Sequence, residues 1–113
     1  MDFKKKYTYH ERTIKSFNLL KKYPNKIPII CTVGDKNLPK FKKTKYLVPR
    51  NIILVEFIHL LRKRINLPRQ MSMYLLIGSN IQVSSQLLSQ VYEDYKDNDG
   101  FLYIKCFGEN TFG

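Results

Sequence analysis

The sequence predicts an α+β domain in which a mixed β-sheet wraps around one central helix. Four short apolar runs rich in β-branched or aromatic residues are bounded by Pro, Gly and Asn, which is typical of strands separated by turns. Between the second and third runs, residues 51–68 repeat their apolar side chains with helical spacing. The 113 residues are enough for one domain with one hydrophobic core.

The first half of the chain predicts a helix followed by a hairpin. In residues 8–22, charges separate apolar side chains that have a loose helical spacing, and the pattern ends before Pro24. These apolar residues are Tyr9, Ile14, Phe17 and either Leu19 or Leu20. Ile27 to Val33 is then a predicted strand, and Tyr46 to Val48 begins a second strand that Pro49 closes. The short loop between these strands favours a hairpin.

The central helix is predicted from one stripe of buried residues. These residues repeat at intervals of four, three and four positions, and they are Leu54, Ile58, Leu61 and Ile65. Pro68 stops this helix. The remaining predicted elements are a third strand (Met73 to Ile77), a helix capped by Ser84 or Ser85 that runs through Tyr95, a turn at 97–100, and a final strand (Phe101 to Phe107).

The predicted order of elements is ββαβαβ behind a helical extension, which is the plan of the ubiquitin-like β-grasp. We expect residues 1–24 to form the N-terminal helical extension and residues 25–107 to form the core. Residues 108–113 follow the last predicted strand with few apolar side chains, so we expect a flexible C-terminal tail.

The net charge of +11 is concentrated in one part of the chain. Residues 1–69 contain 18 of the 20 Lys and Arg with four acids, whereas residues 70–113 contain two bases with five acids. Such a basic region favours an anionic partner, and nucleic acid, an acidic peptide and an anionic membrane surface all fit the charge.

Residues that could support catalysis or metal binding do not form a recognisable site. Cys31 and Cys106 lie inside predicted strands without a CxxC pair, so we expect buried, reduced thiols. The turn at 97–100 resembles part of a calcium loop, but Tyr95 and Cys106 occupy the positions where carboxylates must bind the ion. No phosphate loop or nucleophile motif is present, so we predict neither an enzyme nor a cofactor.

No run approaches the roughly 20 apolar residues that span a bilayer, and the N-terminus lacks the apolar run of a signal peptide, so we expect a cytosolic protein. The basic runs KFKKTK (40–45) and RKR (62–64) could bind nucleic acid, but they could equally be a solvated face. The sequence has no signature of an RNA-recognition, KH or helix-turn-helix domain, so nucleic-acid binding remains an alternative only.

Residues 45–61 contain more apolar surface than the predicted core requires. Phe57 and Leu60 lie roughly 60° and 120° from the axis of the buried stripe, so one flank of the helix is apolar. In the second strand, alternation directs Tyr46 and Val48 towards the helix and Lys45 and Leu47 to the opposite face.

If this strand is at the sheet edge, it can accept an extended peptide between two apolar grooves. Acidic neighbours in that peptide would meet Lys26, Lys43, Lys45 and Arg64. The alternative is that Phe57 and Leu60 pack against a loop and that the lysines only prevent edge-to-edge aggregation.

Several blocks of the sequence resemble the GABARAP family, the autophagy-related ubiquitin-like modifiers numbered eight. The blocks are KKYPNKIPII, KKTKYLVPRNIILVEFIHLLRKRINL and YEDYKDNDGFLYIKCFGENTFG, which ends in Phe112-Gly113. The resemblance covers almost the whole chain, and the KYP, KYLVP and LYI blocks in this order are a specific combination.

The resemblance implies a β-grasp core with two N-terminal helices and a non-enzymatic, monomeric modifier. Activating and conjugating enzymes would pass Gly113 as a thioester to phosphatidylethanolamine, and the product would sit on autophagosomal membranes. There it would recruit receptors with an aromatic-x-x-aliphatic motif flanked by acids.

The family's binding residues map onto matching positions of this chain. The first pocket maps to Leu19, Pro28, Ile30, Lys45, Leu47 and Phe101. The second pocket maps to Tyr46, Val48, Pro49, Ile52, Phe57, Leu60 and Leu61. Both sets coincide with the two grooves found from strand alternation, and Lys26, Lys43 and Arg64 would contact the acidic flank of the ligand.

The sequence departs from the family pattern at some positions. Lys15 stands where the family usually has an acid beside the first pocket. The sequence ends at Gly113, which is either exposed by a processing cysteine protease or encoded as the last residue. The sister modifier, autophagy-related protein twelve, also ends in aromatic-Gly but attaches to a protein; it lacks the two-helix extension and the KYP block, and it remains an alternative.

Overall fold

A computed structural model describes residues 2–34, 36–81 and 85–110. The helices are α1 (Phe3–Lys6), α2 (Tyr9–Lys22), α3 (Leu54–Ile65) and α4 (Leu88–Tyr95). The strands are β1 (Lys26–Val33), β2 (Lys45–Pro49), β3 (Met71–Ile77), β4 (Asn80–Ile81) and β5 (Leu102–Asn110). The order of these elements confirms the α+β fold class predicted from the sequence.

Within the described residues, one sheet contains five strands in the order β2-β1-β5-β3-β4. The central pair, β1 and β5, is parallel, and the other pairs are antiparallel. β1 and β2 form the predicted hairpin, in which Pro28 lies opposite Leu47 and Ile30 lies opposite Lys45. β2 is therefore at one edge of the sheet, and the two-residue β4 is at the other.

Helices α3 and α4 bury one face of the sheet. The core contains Leu54, Phe57 and Leu61 from α3 and Leu88, Val91 and Tyr92 from α4, together with inward-facing strand residues such as Ile27, Ile29 and Ile104. On the other face, Phe3 of α1 packs edge-on against the buried ring of Phe101, with 5.0 Å between centroids. The N-terminal extension thus covers part of the face that α3 and α4 leave open.

The helix predicted at residues 8–22 is confirmed, but three of its predicted apolar residues are exposed, and only Leu19 and Leu20 are half-buried. Phe17 is 63% exposed, and Tyr9 and Ile14 are also exposed, whereas Arg12 and Ser16 are buried. Arg12 can be buried because Asp99 accepts a hydrogen bond from its Nε at 2.8 Å. The face of α2 that packs against the domain therefore contains the polar residues Arg12 and Ser16, and the spacing of apolar residues could not identify this face.

In α3, Phe57 replaces part of the predicted stripe. Leu54 and Leu61 are buried as predicted, but Phe57 is fully buried, while Ile58 and Ile65 are only half-buried. The helix ends at Ile65, three residues before Pro68, because Asn66 adopts a left-handed conformation with φ of 53°.

Other boundaries also differ from the predictions. α4 begins at Leu88 with Leu87 as its N-cap residue, so Ser85 does not cap this helix. The N–H of Leu88 donates a hydrogen bond to the carbonyl of Ile52 at 2.9 Å. Ser84, the other predicted cap, lies outside the described residues. β5 extends to Asn110, because residues 108–110 pair with β3. The expected start of the tail at Gly108 is therefore wrong, and residues 111–113 are not described.

Candidate functional site

The edge strand β2 is the centre of the candidate site. β1 pairs with one side of it, and no strand in the described part of the chain pairs with the other. Its side chains alternate as predicted: Tyr46 and Val48 are buried under α3, Lys45 is exposed and Leu47 is half-buried on the opposite face. The strand thus presents an open edge between two different surfaces.

The structure brings the first-pocket residues of β1 and β2 together. Leu47 lies opposite Pro28, and Lys45 lies opposite Ile30, across the hairpin. Pro28, Ile30 and Phe101 are buried, so Leu47 and Lys45 supply the exposed part of this pair of strands. Leu19 is half-buried on α2, which packs against β1.

The second-pocket residues divide into a buried set and a surface set. Tyr46, Val48, Phe57 and Leu61 belong to the core, where the rings of Tyr46 and Phe57 pack edge-on with 6.1 Å between centroids. Pro49 is exposed, and Ile52 and Leu60 are half-buried. Only these three can contact a ligand without a rearrangement of the core, because the other four side chains are buried.

Basic side chains surround the edge strand. Lys26, Lys43 and Arg64 are exposed, and within the described residues none of them forms an ion pair. The Nζ of Lys43 lies 5.3 Å from the centroid of the Tyr46 ring. Arg64 lines a surface cavity of about 410 Å³ together with Glu56, His59, Leu60 and Lys63. Unpaired positive charge therefore lies beside Leu60, in a cavity that also contains the carboxylate of Glu56.

The sequence prediction missed a second cavity, of about 420 Å³, next to β2. It lies between the 39–43 loop and the C-terminal end of α3, and Lys40, Phe41 and Lys42 contribute to it. Lys40 and Lys42 belong to the basic run KFKKTK, but neither of them, nor Phe41, was assigned to a peptide pocket from the sequence. Lys15 is half-buried, and its Nζ lies 4.4 Å from the centroid of the Tyr7 ring.

Cys31 and Cys106 are free and buried, as predicted. Burial raises the pKa of the Cys31 thiol, and a hydrogen bond with Cys106 acts in the same direction. The Cys31 thiol is therefore a poor nucleophile. In the described part of the chain, no group of three or more His, Cys, Asp or Glu residues could hold a metal ion, and no helix is long and apolar enough to cross a membrane.

The fold and the edge strand define a ubiquitin-like domain that has an N-terminal helical extension and an open strand between two apolar surfaces. A family model described as "Autophagy protein Atg8 ubiquitin like" matches residues 11–113. The chain belongs to the Atg8 family, which confirms the resemblance found in the sequence, and it is an autophagy-related ubiquitin-like protein.

Relatives from several organisms agree with this assignment. The chain is 39% identical to Autophagy-related protein 8 of Candida glabrata over 112 residues, which are 98% of this chain and 95% of the relative. It is 37% identical to Autophagy-related protein 8 of Saccharomyces cerevisiae over 112 residues, which are 98% of this chain and 96% of the relative.

Solved structures show the same fold. The crystal structure of Trypanosoma brucei ATG8 matches with a TM-score of 0.91 and 32% identity, covering 100% of this chain and 98% of that one. Plasmodium falciparum Atg8, in complex with a Plasmodium falciparum Atg3 peptide, matches with a TM-score of 0.85 and 31% identity, covering 94% of each chain.

Proposed function

We propose that this chain is a ubiquitin-like modifier that binds receptor peptides along β2 and is conjugated through Gly113 to phosphatidylethanolamine. The observation that supports it most directly is the open edge of β2 between two partly exposed apolar surfaces. An extended peptide can add to such an edge with main-chain hydrogen bonds, while alternate side chains enter opposite surfaces.

The chemistry of both surfaces fits an aromatic-x-x-aliphatic motif flanked by acids. Side chains an odd number of residues apart point to opposite faces of a strand, so positions 0 and +3 of the motif enter different pockets. The aromatic side chain would contact Leu47 and Leu19 in the first pocket, and the aliphatic one would contact Pro49, Ile52 and Leu60 in the second. Lys26, Lys43 and Arg64 would then be near the acidic flank.

The proposed conjugation uses the terminal glycine. The terminal carboxylate would attack the α-phosphate of ATP and release pyrophosphate, and a thiolate of the activating enzyme would then displace AMP to form a thioester. A thiolate of the conjugating enzyme would take over this thioester, and the amine of the lipid would finally displace that thiolate to form an amide. Without a Cβ, the glycine carbonyl is open to each of these attacks. The unconjugated protein would be cytoplasmic, and the lipidated form would sit on the autophagosomal membrane. An activating enzyme, a conjugating enzyme and a cysteine protease that exposes the glycine are the proposed enzymatic partners.

The peptide site is tested by calorimetry together with NMR mapping, using an acidic aromatic-x-x-aliphatic peptide. We expect one peptide per molecule, with the largest amide shifts along Lys45–Pro49. Shifts confined to another face would overturn the site, and binding of duplex DNA by a chain that does not bind the peptide would favour a nucleic-acid-binding module.

Conjugation is tested by reconstitution with the matching activating and conjugating enzymes and phosphatidylethanolamine liposomes. We expect a gel shift and a lipid mass on the full chain, and neither on a chain without Gly113. The deleted chain should still bind the peptide. Lipidation of the deleted chain would overturn the assignment of Gly113, and a shift only on a protein acceptor would indicate protein conjugation.

A further inference from the structure

The C-terminal end of β5 is paired differently from the rest of the strand. β1 pairs with residues 102–106 of β5, whereas β3 pairs with residues 105–110. Within the described part of the chain, residues 107–110 therefore have one neighbouring strand, which is β3. Separation of this end from the sheet would break a single ladder of main-chain hydrogen bonds.

The sequence of this end favours a strand only weakly. Residues 102–107, LYIKCF, are mostly aromatic or aliphatic, and Leu102, Ile104 and Cys106 are buried in the core. Residues 108–110 are Gly-Glu-Asn, three residue types that are depleted in strands. Gly108 has no side chain to pack and has access to more backbone conformations than other residues, so it is suited to be a hinge between these two parts of β5.

Side chains from two other segments hold this end in place. Nδ2 of Asn37 donates a hydrogen bond to the carbonyl of Gly108 at 3.0 Å, and the hydroxyl of Ser72 donates one to the carbonyl of Glu109 at 3.2 Å. Leu38 packs so closely on Gly108 that a Cβ there would lie 2.7 Å from its Cδ2. Each such hydrogen bond changes an equilibrium by only about two- to tenfold, so these contacts hold the end without preventing it from opening.

The length of chain after β5 limits how the terminal glycine can be reached. Residues 111–113 follow β5, and an extended chain spans at most about 3.6 Å per residue, or about 11 Å for three residues. This length is about the diameter of one helix with its side chains. An active site that excludes water must surround the reacting carbonyl with protein, and three residues leave little room for such walls beside the domain. Six residues, 108–113, can span about 22 Å.

We propose that residues 108–110 separate from β3 during conjugation, so that residues 108–113 together enter the activating and conjugating enzymes. Gly108 is the hinge, and Asn37 and Ser72 determine how often the end of the strand opens. Pairing with β3 therefore slows conjugation. The proposal rests on conjugation through Gly113, and it adds that the partner enzyme has a cleft that binds six extended residues.

The first test locks the end of β5 to β3 with a disulfide. Ser72 and Glu109 are opposite each other in the register and are both exposed, so Ser72→Cys/Glu109→Cys places two thiols within bridging distance. The assay measures the initial rate of thioester formation with the matching activating enzyme and ATP, for the oxidised and the reduced form. We expect the oxidised form to react about 100-fold more slowly, because displacing a reacting group by an ångström can already have an effect of this size.

Leu76→Cys/Lys105→Cys is the matched control for the lock. It joins the same two strands at opposite positions that are four residues farther from the C-terminus. Its oxidised and reduced forms should react at the same rate. Binding of the acidic aromatic-x-x-aliphatic peptide along β2 should be equal in all four forms, which shows that the fold is intact.

The second test weakens the contacts without a disulfide. Ser72→Ala removes the hydrogen bond to the carbonyl of Glu109, so the amide protons of Glu109 and Asn110 should exchange about fivefold faster with solvent. The rate of thioester formation at low enzyme concentration should rise by the same factor. Thr13→Ala, which removes a hydrogen bond of 2.9 Å from a hydroxyl to a carbonyl in α2, should change neither rate.

Two results would overturn the proposal while leaving conjugation through Gly113 intact. One is an equal rate of thioester formation in the oxidised and reduced forms of Ser72→Cys/Glu109→Cys. The other is faster amide exchange in Ser72→Ala without faster thioester formation, and this result decides the matter if the locked variant does not fold. If the native chain forms no thioester with the activating enzyme and ATP, conjugation through Gly113 itself is wrong.

Discussion

The guanidinium of Arg12 donates a hydrogen bond from Nε to Oδ2 of Asp99, 87 positions away, at 2.8 Å. Asp99 is fully buried and also accepts hydrogen bonds from the Tyr103 hydroxyl at 2.5 Å and from the Phe101 N–H at 2.9 Å. Arg12 donates from Nη1 to the carbonyl of Tyr7 at 2.8 Å. The carboxylate thus joins α2 to the start of β5, and Arg12 extends this link to the residue that follows α1.

We expect Asp99→Ala to lower the melting temperature by about 10 °C, because it leaves the Arg12 guanidinium and the Tyr103 hydroxyl without their acceptor. Tyr103→Phe removes one donor and keeps the ring, so its melting temperature should fall by about 5 °C or less. Circular dichroism during heating measures both changes. Equal losses in the two variants would show that the ion pair with Arg12 contributes nothing.

Glu11 should make the start of α2 sensitive to acid. Hydrogen bonds from the Thr8 backbone N–H, at 2.9 Å, and from the Thr8 side chain lower the pKa of Glu11 from its ordinary value of 4.5. A lowered pKa means that this stabilisation is present above pH 4.5 and is lost as the pH falls through the lower folded value. The amide proton shift of Thr8, followed by NMR from about pH 6 to about pH 2, should show an inflection below the ordinary pKa.

Glu11→Gln is the matched control for this titration. Glutamine keeps an oxygen that can accept the Thr8 N–H hydrogen bond but does not titrate, so the inflection should disappear while α2 stays folded. An unchanged inflection in this variant would assign the acid sensitivity to another carboxyl group.

Leu47→Arg should abolish peptide binding along β2. A charged side chain in the first pocket would have to be desolvated by the bound peptide, which costs several kcal/mol and exceeds what a small interface supplies. The fold should survive because Leu47 is only half-buried. Tyr74→Arg, at a tyrosine that is 37% exposed on β3, which is separated from β2 by two strands, is the control and should bind normally. Calorimetry that finds equal affinity in Leu47→Arg would remove the first pocket from the site.

Lys15 should weaken the preference of the first pocket for tryptophan. A carboxylate at this position could accept a hydrogen bond from the indole N–H, and one such bond to a charged group contributes about 1.5–3 kcal/mol. The native chain should therefore bind Trp and Phe peptides with similar affinity, and Lys15→Glu should gain a preference for Trp. Paired titrations measure this, with Lys15→Gln as a neutral control. A strong Trp preference in the native chain would contradict the prediction.

The sequence predicts the elements better than it predicts which helix residues pack. In β2, strand alternation correctly predicted that Tyr46 and Val48 lie on one face of the sheet and Leu47 on the other, because side chains of a strand can point to only two faces. In α3 the stripe of apolar residues was wide enough that spacing alone could not choose between Phe57 and Ile58. In α2, the face that packs against the rest of the domain is determined by the ion pair between Arg12 and Asp99, and Asp99 is too distant in sequence for a local pattern to reveal it.

The candidate site was only partly predictable for a related reason. Residues on β1 and β2 are placed by hairpin register, which follows from local pattern. The second cavity next to β2 instead combines the 39–43 loop with the end of α3, and no spacing in the sequence shows that these two segments meet. The end of β5 at Asn110 was missed because its pairing with Met71 depends on β3 and not on the composition of residues 108–110.

The two edges of the sheet are unequal, since β2 has five residues and β4 has two. β4 covers only Leu76 and Ile77 of β3, but the edge of β2 is the one bordered by both groups of candidate pocket residues, so along the described strands each molecule has one site of this kind. Multivalent receptors therefore cannot gain avidity from a single copy. They would gain it only from copies anchored close together, so the surface density of the modifier on a membrane would determine how long such a receptor stays bound.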